Sequence, residues 1–185
     1  FCVCFLDLDG FQTINDSMGH EAGDVLLKAV DMRLKQCVRA KDTVARLGGD
    51  EFTVILRDIR DPHDITVVAE HIIHALSRPV SIQDAEVVVT TSIGIALYPE
   101  DGREIGDLTR NADIAMYHAK GQGKNNYQFF TDELNKRVQK RLQLEIRLRR
   151  AFEHREFRLM YQPQFDAVDG AVMGLEVKVY WETEE

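Results

Sequence analysis

Two short acidic stretches carry the residue types best suited to chemistry in this chain of 185 residues. One is Asp7-Leu8-Asp9-Gly10, at the end of an apolar run; the other is Gly48-Gly49-Asp50-Glu51, between two apolar runs. Asp50 and Glu51 are adjacent like charges, and their repulsion needs a cation or a ligand's donors to offset it. If Asp7 ends one strand and Asp50 sits at the tip of a hairpin beside it, the two carboxylates converge on one edge of a sheet. Hard oxygen ligands, few in number and open on one side, are how proteins hold Mg²⁺ for a triphosphate. A calcium loop is excluded, because the fifth position of Asp7-Leu8-Asp9-Gly10-Phe11-Gln12 is Phe11 and the glycine falls two residues early. Alone, the Gly-Gly-Asp-Glu stretch is a solvated hairpin tip, and Asp9 a turn residue; the second acidic stretch favours a shared site.

The elements that must position these residues follow from hydrophobic spacing. Phe1 to Leu8 is an unbroken apolar run, the pattern of a strand covered on both faces. Thr43 to Leu47 and Phe52 to Leu56 are β-branched and apolar, so the intervening Gly48-Gly49 predicts a hairpin turn. Gly23 to Val38 places Val25, Leu26, Ala29, Val30, Leu34 and Val38 at helical spacing. Pro62 opens a second helix with Ile65, Val68, Ala69, Ile72, Ile73 and Leu76 as its buried stripe. Val87 to Leu97 reads as one long central strand, Leu108 to Ala119 as a third helix and Tyr127 to Phe130 as a short closing strand. Strands alternate with helices but a hairpin interrupts them, so the sheet is mixed and antiparallel at its centre. The fold class is α/β (α+β), a ferredoxin-like sandwich. From Thr131 the chain becomes charge-dense, a connecting helix with Leu134, Val138, Leu142, Ile146 and Leu148 on one stripe, and Asp166 to Gly170 then marks a second hairpin.

The hairpin, with Asp7-Leu8-Asp9-Gly10-Phe11-Gln12-Thr13-Ile14-Asn15-Asp16 ahead of it, closely resembles the GGDEF family of diguanylate cyclase domains, over roughly residues 1 to 130. The resemblance implies a nucleotidyl-cyclase-like sheet with the Gly48-Gly49 hairpin at its heart. It assigns a metal, Mg²⁺ or Mn²⁺, to Asp7, the Leu8 carbonyl and Asp50, with Glu51 as a second ligand or proton acceptor, and makes Asp50 and Glu51 the catalytic pair. It puts Gly48 and Gly49 against the substrate, Asn15 and Asp24 on guanine, and Lys120 and Lys124 on the β and γ phosphates. On the residues alone, Asn15 is equally a cap, Asp24 an acid suited to a helix start, and the lysines cations suited to a helix end. Arg39 and Asp42 match the family's Arg-x-x-Asp inhibitory site. Gln12 departs from the pattern, since the family usually has a phosphate-binding lysine there. The tail, with Tyr161-Gln162-Pro163 and Gly174-Leu175-Glu176, resembles the opening of an EAL phosphodiesterase domain, whose ligand-contacting Gln and metal-binding Glu match Gln162 and Glu176. Val177-Lys178 and Tyr180 depart from that pattern.

Domains are accordingly expected at residues 1–130 (GGDEF), 131–154 (connecting helix) and 155–185 (the start of EAL), the whole being a piece of a longer protein. The implied reaction condenses two GTP into cyclic di-GMP. One domain cannot close the ring, so a homodimer is required. The alternative is a GTP-binding, catalytically weak module that regulates an adjoining EAL phosphodiesterase, with sensory domains elsewhere in the parent. Net charge of −8 argues against a general affinity for nucleic acid. Cys2, Cys4 and Cys37 suit buried thiols in a reducing cytoplasm. No apolar run approaches the ~20 residues of a membrane span, so a cytoplasmic domain is expected. His71 and His74 lie on a helix without a partner nucleophile, and none of the histidines suggests catalysis.

Overall fold

The computed structural model describes residues 1–59 and 61–181. The chain divides into two compact units, residues 1–138 and 139–185. No helix among the described residues is long and apolar enough to cross a membrane.

The first unit is built on a five-stranded sheet of β1 (Cys2–Asp9), β2 (Thr43–Gly48), β3 (Glu51–Leu56), β6 (Thr90–Leu97) and β7 (Tyr127–Phe129), in the order β2-β3-β1-β6-β7. β1 pairs antiparallel with both β3 and β6, and β7 runs parallel to β6, which makes the expected mixed sheet with an antiparallel centre. β1 is the middle strand and the hairpin β2–β3 lies along one flank of it.

Two-residue periodicity on β1 sorts its side chains between two cores. Cys2, Cys4, Leu6 and Leu8 face a large core with α2 (His20–Cys37) and α3 (Pro62–Leu76), which supply Leu26, Val30 and Leu34, and Ile65, Ala69 and Ile72. Val3 and Phe5 face a smaller core under α4 (Ile105–Gly121), which supplies Leu108, Ala112, Ala115 and Met116. Asp7 and Asp9 continue the second series and so belong to the α4 side of the sheet. Arg33 of α2 holds α3 in place, donating from Nη1 to the carbonyls of Ala75, Leu76 and Arg78 and from Nη2 to that of Pro79. These are carbonyls at and just beyond a helix end that lack intrahelical partners.

Four local features differ from the sequence reading. An eight-residue helix, α1 (Phe11–Met18), follows β1, although Asn15, Asp16 and Ser17 are weak helix formers; it packs on α2, which begins at His20 rather than Gly23. The valine-rich run is divided: β4 (Val80–Ile82) and β5 (Ala85–Val87) form a small separate hairpin, and β6 starts at Thr90. Val88 between them is exposed and Val89 is buried, so a uniform β propensity hides a change of sheet. The turn of the acidic hairpin is Gly49-Asp50, one residue on from Gly48-Gly49, because a bulge at Leu47 brings Gly48 opposite Glu51. β7 ends at Phe129, and Phe130 enters the smaller core.

α5 (Asp132–Glu153) runs from the first unit into the second. Leu134 is buried, Ile146 and Leu148 are exposed, and the side chains of Val138 and Leu142 lie outside the described residues. In the second unit β8 (Phe157–Phe165) and β9 (Val172–Trp181) form the expected antiparallel hairpin. Its Trp181 donates to Glu156 at 2.9 Å and lies beneath the Arg147 guanidinium.

Candidate active site

The end of β1 and the turn of the β2–β3 hairpin meet through backbone pairing. Asp7 lies directly opposite Glu51, which puts both side chains on the α4 face, and the Leu8 N–H donates to the Asp50 carbonyl at 3.3 Å. Arg46, which the sequence reading passed over, clips the turn by donating from Nε and Nη2 to the Gly49 carbonyl at 2.9 and 2.6 Å. An arginine two residues before a Gly-Gly pair was the available signal. Space around Gly48 and Gly49 is open, with no atom within 4 Å of where a Cβ would stand.

Lys120 comes from the last turn of α4, and its Nζ lies 2.7 Å from Asp7 Oδ2. The Asp7 side chain is only 12% exposed. Burial pushes its carboxyl above the ordinary value, the Lys120 ammonium pulls it back, and the negative charges of Asp50 and Asp9 push it up again. The carboxyl of Asp113, about two turns earlier on α4, is also raised by burial, with Lys120 opposing. Asp7, Asp50, Glu51 and Lys120 are thus brought together. Lys124 follows in a loop with left-handed backbone, φ 63°.

Among the described residues no three His, Cys, Asp or Glu side chains form a group able to hold a metal by themselves. The donor set suits Mg²⁺, which proteins hold through one or two carboxylates plus substrate phosphates: a buried carboxylate that attracts a cation at 2.7 Å, with a second acid close enough to repel it, gains from a divalent ion.

Asn15 packs from α1 onto Gly23 of α2, and its Oδ1 is buried without a hydrogen-bond partner, an acceptor whose burial is costly until a donor reaches it. Asp24, the next residue, is exposed on a cleft of about 400 Å³ between α2 and the hairpin, lined also by Leu27, Lys28, Asp31, Arg46 and Phe52.

Arg39 and Asp42 are not part of this cluster. They gather at the opposite end of the hairpin, separated from the turn by the length of β2, roughly 17–20 Å at ~3.3 Å per residue. Both Asp42 oxygens accept backbone N–H groups, Oδ2 from Arg39 and Oδ1 from Arg57, each at 2.9 Å. Asp42 therefore shapes the loop in addition to any ligand role, and a groove there is lined by Arg39, Asp42, Arg57 and Asp64. Gln162 and Glu176 belong to the second unit, where they face each other across β8 and β9; Lys178 donates to Gln162 Oε1.

Asp9 is no mere turn residue. Its carboxylate accepts from Thr90 Oγ1 and Ser92 Oγ, each at 2.8 Å, and from the Asn125 N–H at 3.2 Å.

Comparison with known proteins agrees with this geometry. Residues 1–126 match the family model for the diguanylate cyclase GGDEF domain. The chain is 49% identical over 182 residues to the bifunctional diguanylate cyclase/cyclic di-GMP phosphodiesterase MucR of Pseudomonas aeruginosa, covering 98% of this chain and 26% of MucR. It is 41% identical over 179 residues to the cyclic di-GMP phosphodiesterase NbdA of the same organism, covering 97% of this chain and 23% of NbdA. The chain thus spans about a quarter of the length of these curated relatives. Among solved structures, the GGDEF domain of TpbB from Pseudomonas aeruginosa superposes with a TM-score of 0.72 at 39% identity, over 75% of this chain and 81% of that one. With an acidic hairpin beside an acidic strand end on a mixed sheet, and a family match over more than half its length, the chain belongs to the GGDEF domain family and is a module of cyclic di-GMP signalling.

Proposed function

We propose that the first unit is a diguanylate cyclase domain that condenses two GTP into cyclic di-GMP with loss of two pyrophosphates. The observation that carries this reading is the pairing of Asp7 with Lys120 beside Asp50 and Glu51, which sets carboxylates for a metal next to a cation for phosphate. Asp7, the Leu8 carbonyl, Asp50 and Glu51 would hold Mg²⁺ or Mn²⁺, which when bound neutralises charge on the triphosphate. Lys120 and Lys124 hold the β and γ phosphates, and the bare backbone at Gly48 and Gly49 lets the nucleotide approach the turn. The N-terminus of α1 begins at Gly10 with no side-chain cap and no acid in its first turn, so its free N–H groups suit the same anion. Asn15 and Asp24 take the guanine edge. Asp50 and Glu51 are the catalytic pair, Glu51 being placed to take the proton of the 3′-hydroxyl that attacks the α-phosphorus of a second GTP. That second GTP sits on another copy of the domain, so turnover needs a homodimer. Arg39, with Asp42, would bind product at the far end of the hairpin as an inhibitory site.

We further infer that residues 1–130 make the cyclase domain, 131–154 a connecting helix and 155–185 the start of an EAL domain with Gln162 and Glu176 as its ligand and metal residues. Support comes from the alignment with MucR, which runs through the tail. The second reading, a GTP-binding module that regulates an adjoining EAL phosphodiesterase, is favoured by Gln12, an exposed neutral residue in the first turn of α1 where family members carry lysine. NbdA, one of the relatives, is named a cyclic di-GMP phosphodiesterase.

Gln12→Lys separates the two. A charge-assisted contact is worth roughly 1.5–3 kcal/mol against about 1 for a neutral one, a difference of about tenfold in rate or affinity. In a cyclase, incubation with GTP and Mg²⁺ shows cyclic di-GMP with the native chain and about tenfold more with the variant, the gain shrinking at high salt. In a sensor, GTP binding tightens and no product forms. No effect on either reading would mean that Gln12 does not face the phosphates.

Gly23→Ala tests the guanine site. An added methyl would collide with Asn15 Oδ1 and press on Phe11, and since the nearest atom is the end of a side chain, Asn15 swings away and the helix survives. Alanine is itself the better helix former by about 1 kcal/mol. Expected are an unchanged or higher thermal midpoint and a roughly tenfold loss of preference for GTP over ATP, the size of about one hydrogen bond, read by competition binding. Preference retained in a folded variant would remove Asn15 from the base.

A further inference from the structure

Three consecutive residues of the loop between α4 and β7 have left-handed backbone: Gly123 (φ 106°), Lys124 (φ 63°) and Asn125 (φ 50°). Two of them carry a Cβ, which makes this conformation unfavourable unless the surroundings fix it. Part of the fixing is local. Asn126 Nδ2 donates to the Ala119 and Lys124 carbonyls at 2.8 and 2.9 Å, and the Lys124 N–H to Ala119 at 3.3 Å, all tying the loop to its own helix end. The tie to the sheet comes from the Ile93 N–H, which donates to the Asn126 carbonyl at 3.0 Å, and from Asp9, which holds the N–H of the residue next to Lys124.

Asp9 makes this tie with a carboxylate already committed elsewhere. Oδ1 accepts from Ser92 and Oδ2 from both Thr90 and Asn125, so one side chain joins the end of β1, the start of β6 and the lysine-bearing loop. Ser92 is fully buried, which keeps its hydroxyl on this acceptor and out of water's reach. Asp7, two residues earlier on the same face, makes its own ion pair with Lys120 at the end of the helix that leads into this loop.

We propose that Asp9 is a positioning residue, neither metal ligand nor turn former, which fixes the phosphate-holding loop relative to the acidic strand end. The inference rests on the GTP site proposed above. The role needs acceptors but no negative charge: in Asp9→Asn the amide oxygen can still accept from Thr90 and Asn125, and the amide nitrogen can donate to a rotated Ser92 hydroxyl. Asp9→Ala loses all three contacts.

The test measures GTP KM and kcat, the Mg²⁺ concentration needed for half-maximal rate, and hydrogen exchange of the Asn125 amide, in the native chain and both variants. For Asp9→Ala the expectation is a rise in KM of about tenfold with kcat changed less than about threefold, and Asn125 exchange faster by about tenfold or more. Asp9→Asn should restore KM and exchange to within about threefold of native and leave the Mg²⁺ requirement where it was. If Asn is as damaging as Ala and the Mg²⁺ requirement rises, Asp9 is a ligand and the proposal is overturned; it is equally overturned if Ala changes neither KM nor exchange. Should the native chain neither bind nor turn over GTP, the cyclase reading fails by itself, and Asn125 exchange still decides the tie. If Asp9→Ala does not fold, Thr90→Val, which removes one donor of three, should move exchange in the same direction by about twofold to threefold.

Discussion

Asp7→Asn should lower Mg²⁺-dependent GTP turnover by on the order of a hundredfold or more, the scale of losing one key charge-stabilising group, while making the fold more stable at neutral pH. The two effects have one origin. Burial is the largest influence on the Asp7 carboxyl and raises it above its ordinary value, outweighing the ion pair with Lys120. A carboxyl raised on folding binds its proton more tightly in the native state, so stability falls as pH rises through the window from the ordinary to the raised value. Ionised Asp7 therefore costs stability at neutral pH, and asparagine removes that cost while keeping an acceptor for Lys120. The gain should be largest near pH 7 and vanish below about pH 4, where Asp7 is protonated in both states. Thermal melts of both forms across that range, beside a cyclic di-GMP assay, check the two halves separately. Undiminished product would take Asp7 out of the metal site; a less stable variant at pH 7 would mean that the attraction to Lys120 exceeds the burial cost.

Gly94→Ala should be among the most damaging substitutions in the first unit. Gly94 lies on β6 where α4 crosses it, and a Cβ there would collide with the Ala112 carbonyl and the Met116 amide, with the Ala115 carbonyl carbon at 2.9 Å. All three are backbone groups of a helix whose Ala112, Ala115 and Met116 are buried against the sheet. No rotamer relieves such a clash; the helix must lift off, and overpacking of this kind costs typically 1–3 kcal/mol or more. At roughly 3–4 °C per kcal/mol for a unit of this size, a loss of about 10 °C in Tm is expected at the upper end. Because α4 also carries Lys120, the lift should weaken GTP binding even in the fraction that stays folded. A Tm within about 2 °C of native would mean that α4 can shift along the sheet at little cost.

Local sequence determined the strand-hairpin-helix order, the mixed sheet and the acidic hairpin. These rest on periodicity and turn chemistry within a few residues: Cys2, Cys4, Leu6 and Leu8 against Val3 and Phe5, Gly-Gly before Asp-Glu, the stripe from Ile65 to Leu76. That Asp7 and Glu51 share a face follows from a two-residue period once the strands pair. The guanine, phosphate and inhibitory assignments came from resemblance to a family, since Asn15, Lys120 or Arg39 alone are ordinary surface residues.

Tertiary structure decided which neighbours those residues have. Asp9 finds its partners 81, 83 and 116 residues along the chain, and nothing in Asp-Leu-Asp-Gly marks one carboxylate for a lysine and the other for two hydroxyls and a backbone N–H. Asp42 likewise spends both oxygens on backbone, and while the bond from Arg39 is local to its turn, the one from Arg57 exists only once β3 ends beside β2. The short helix α1 and the break at Val88-Val89 escaped local reading because packing on α2 and a change of sheet override propensity. Local pattern fixes what a segment tends to be and which face is apolar. The site depends on close contacts between segments brought together only by burying two cores at once, and their geometry is a property of the packed whole.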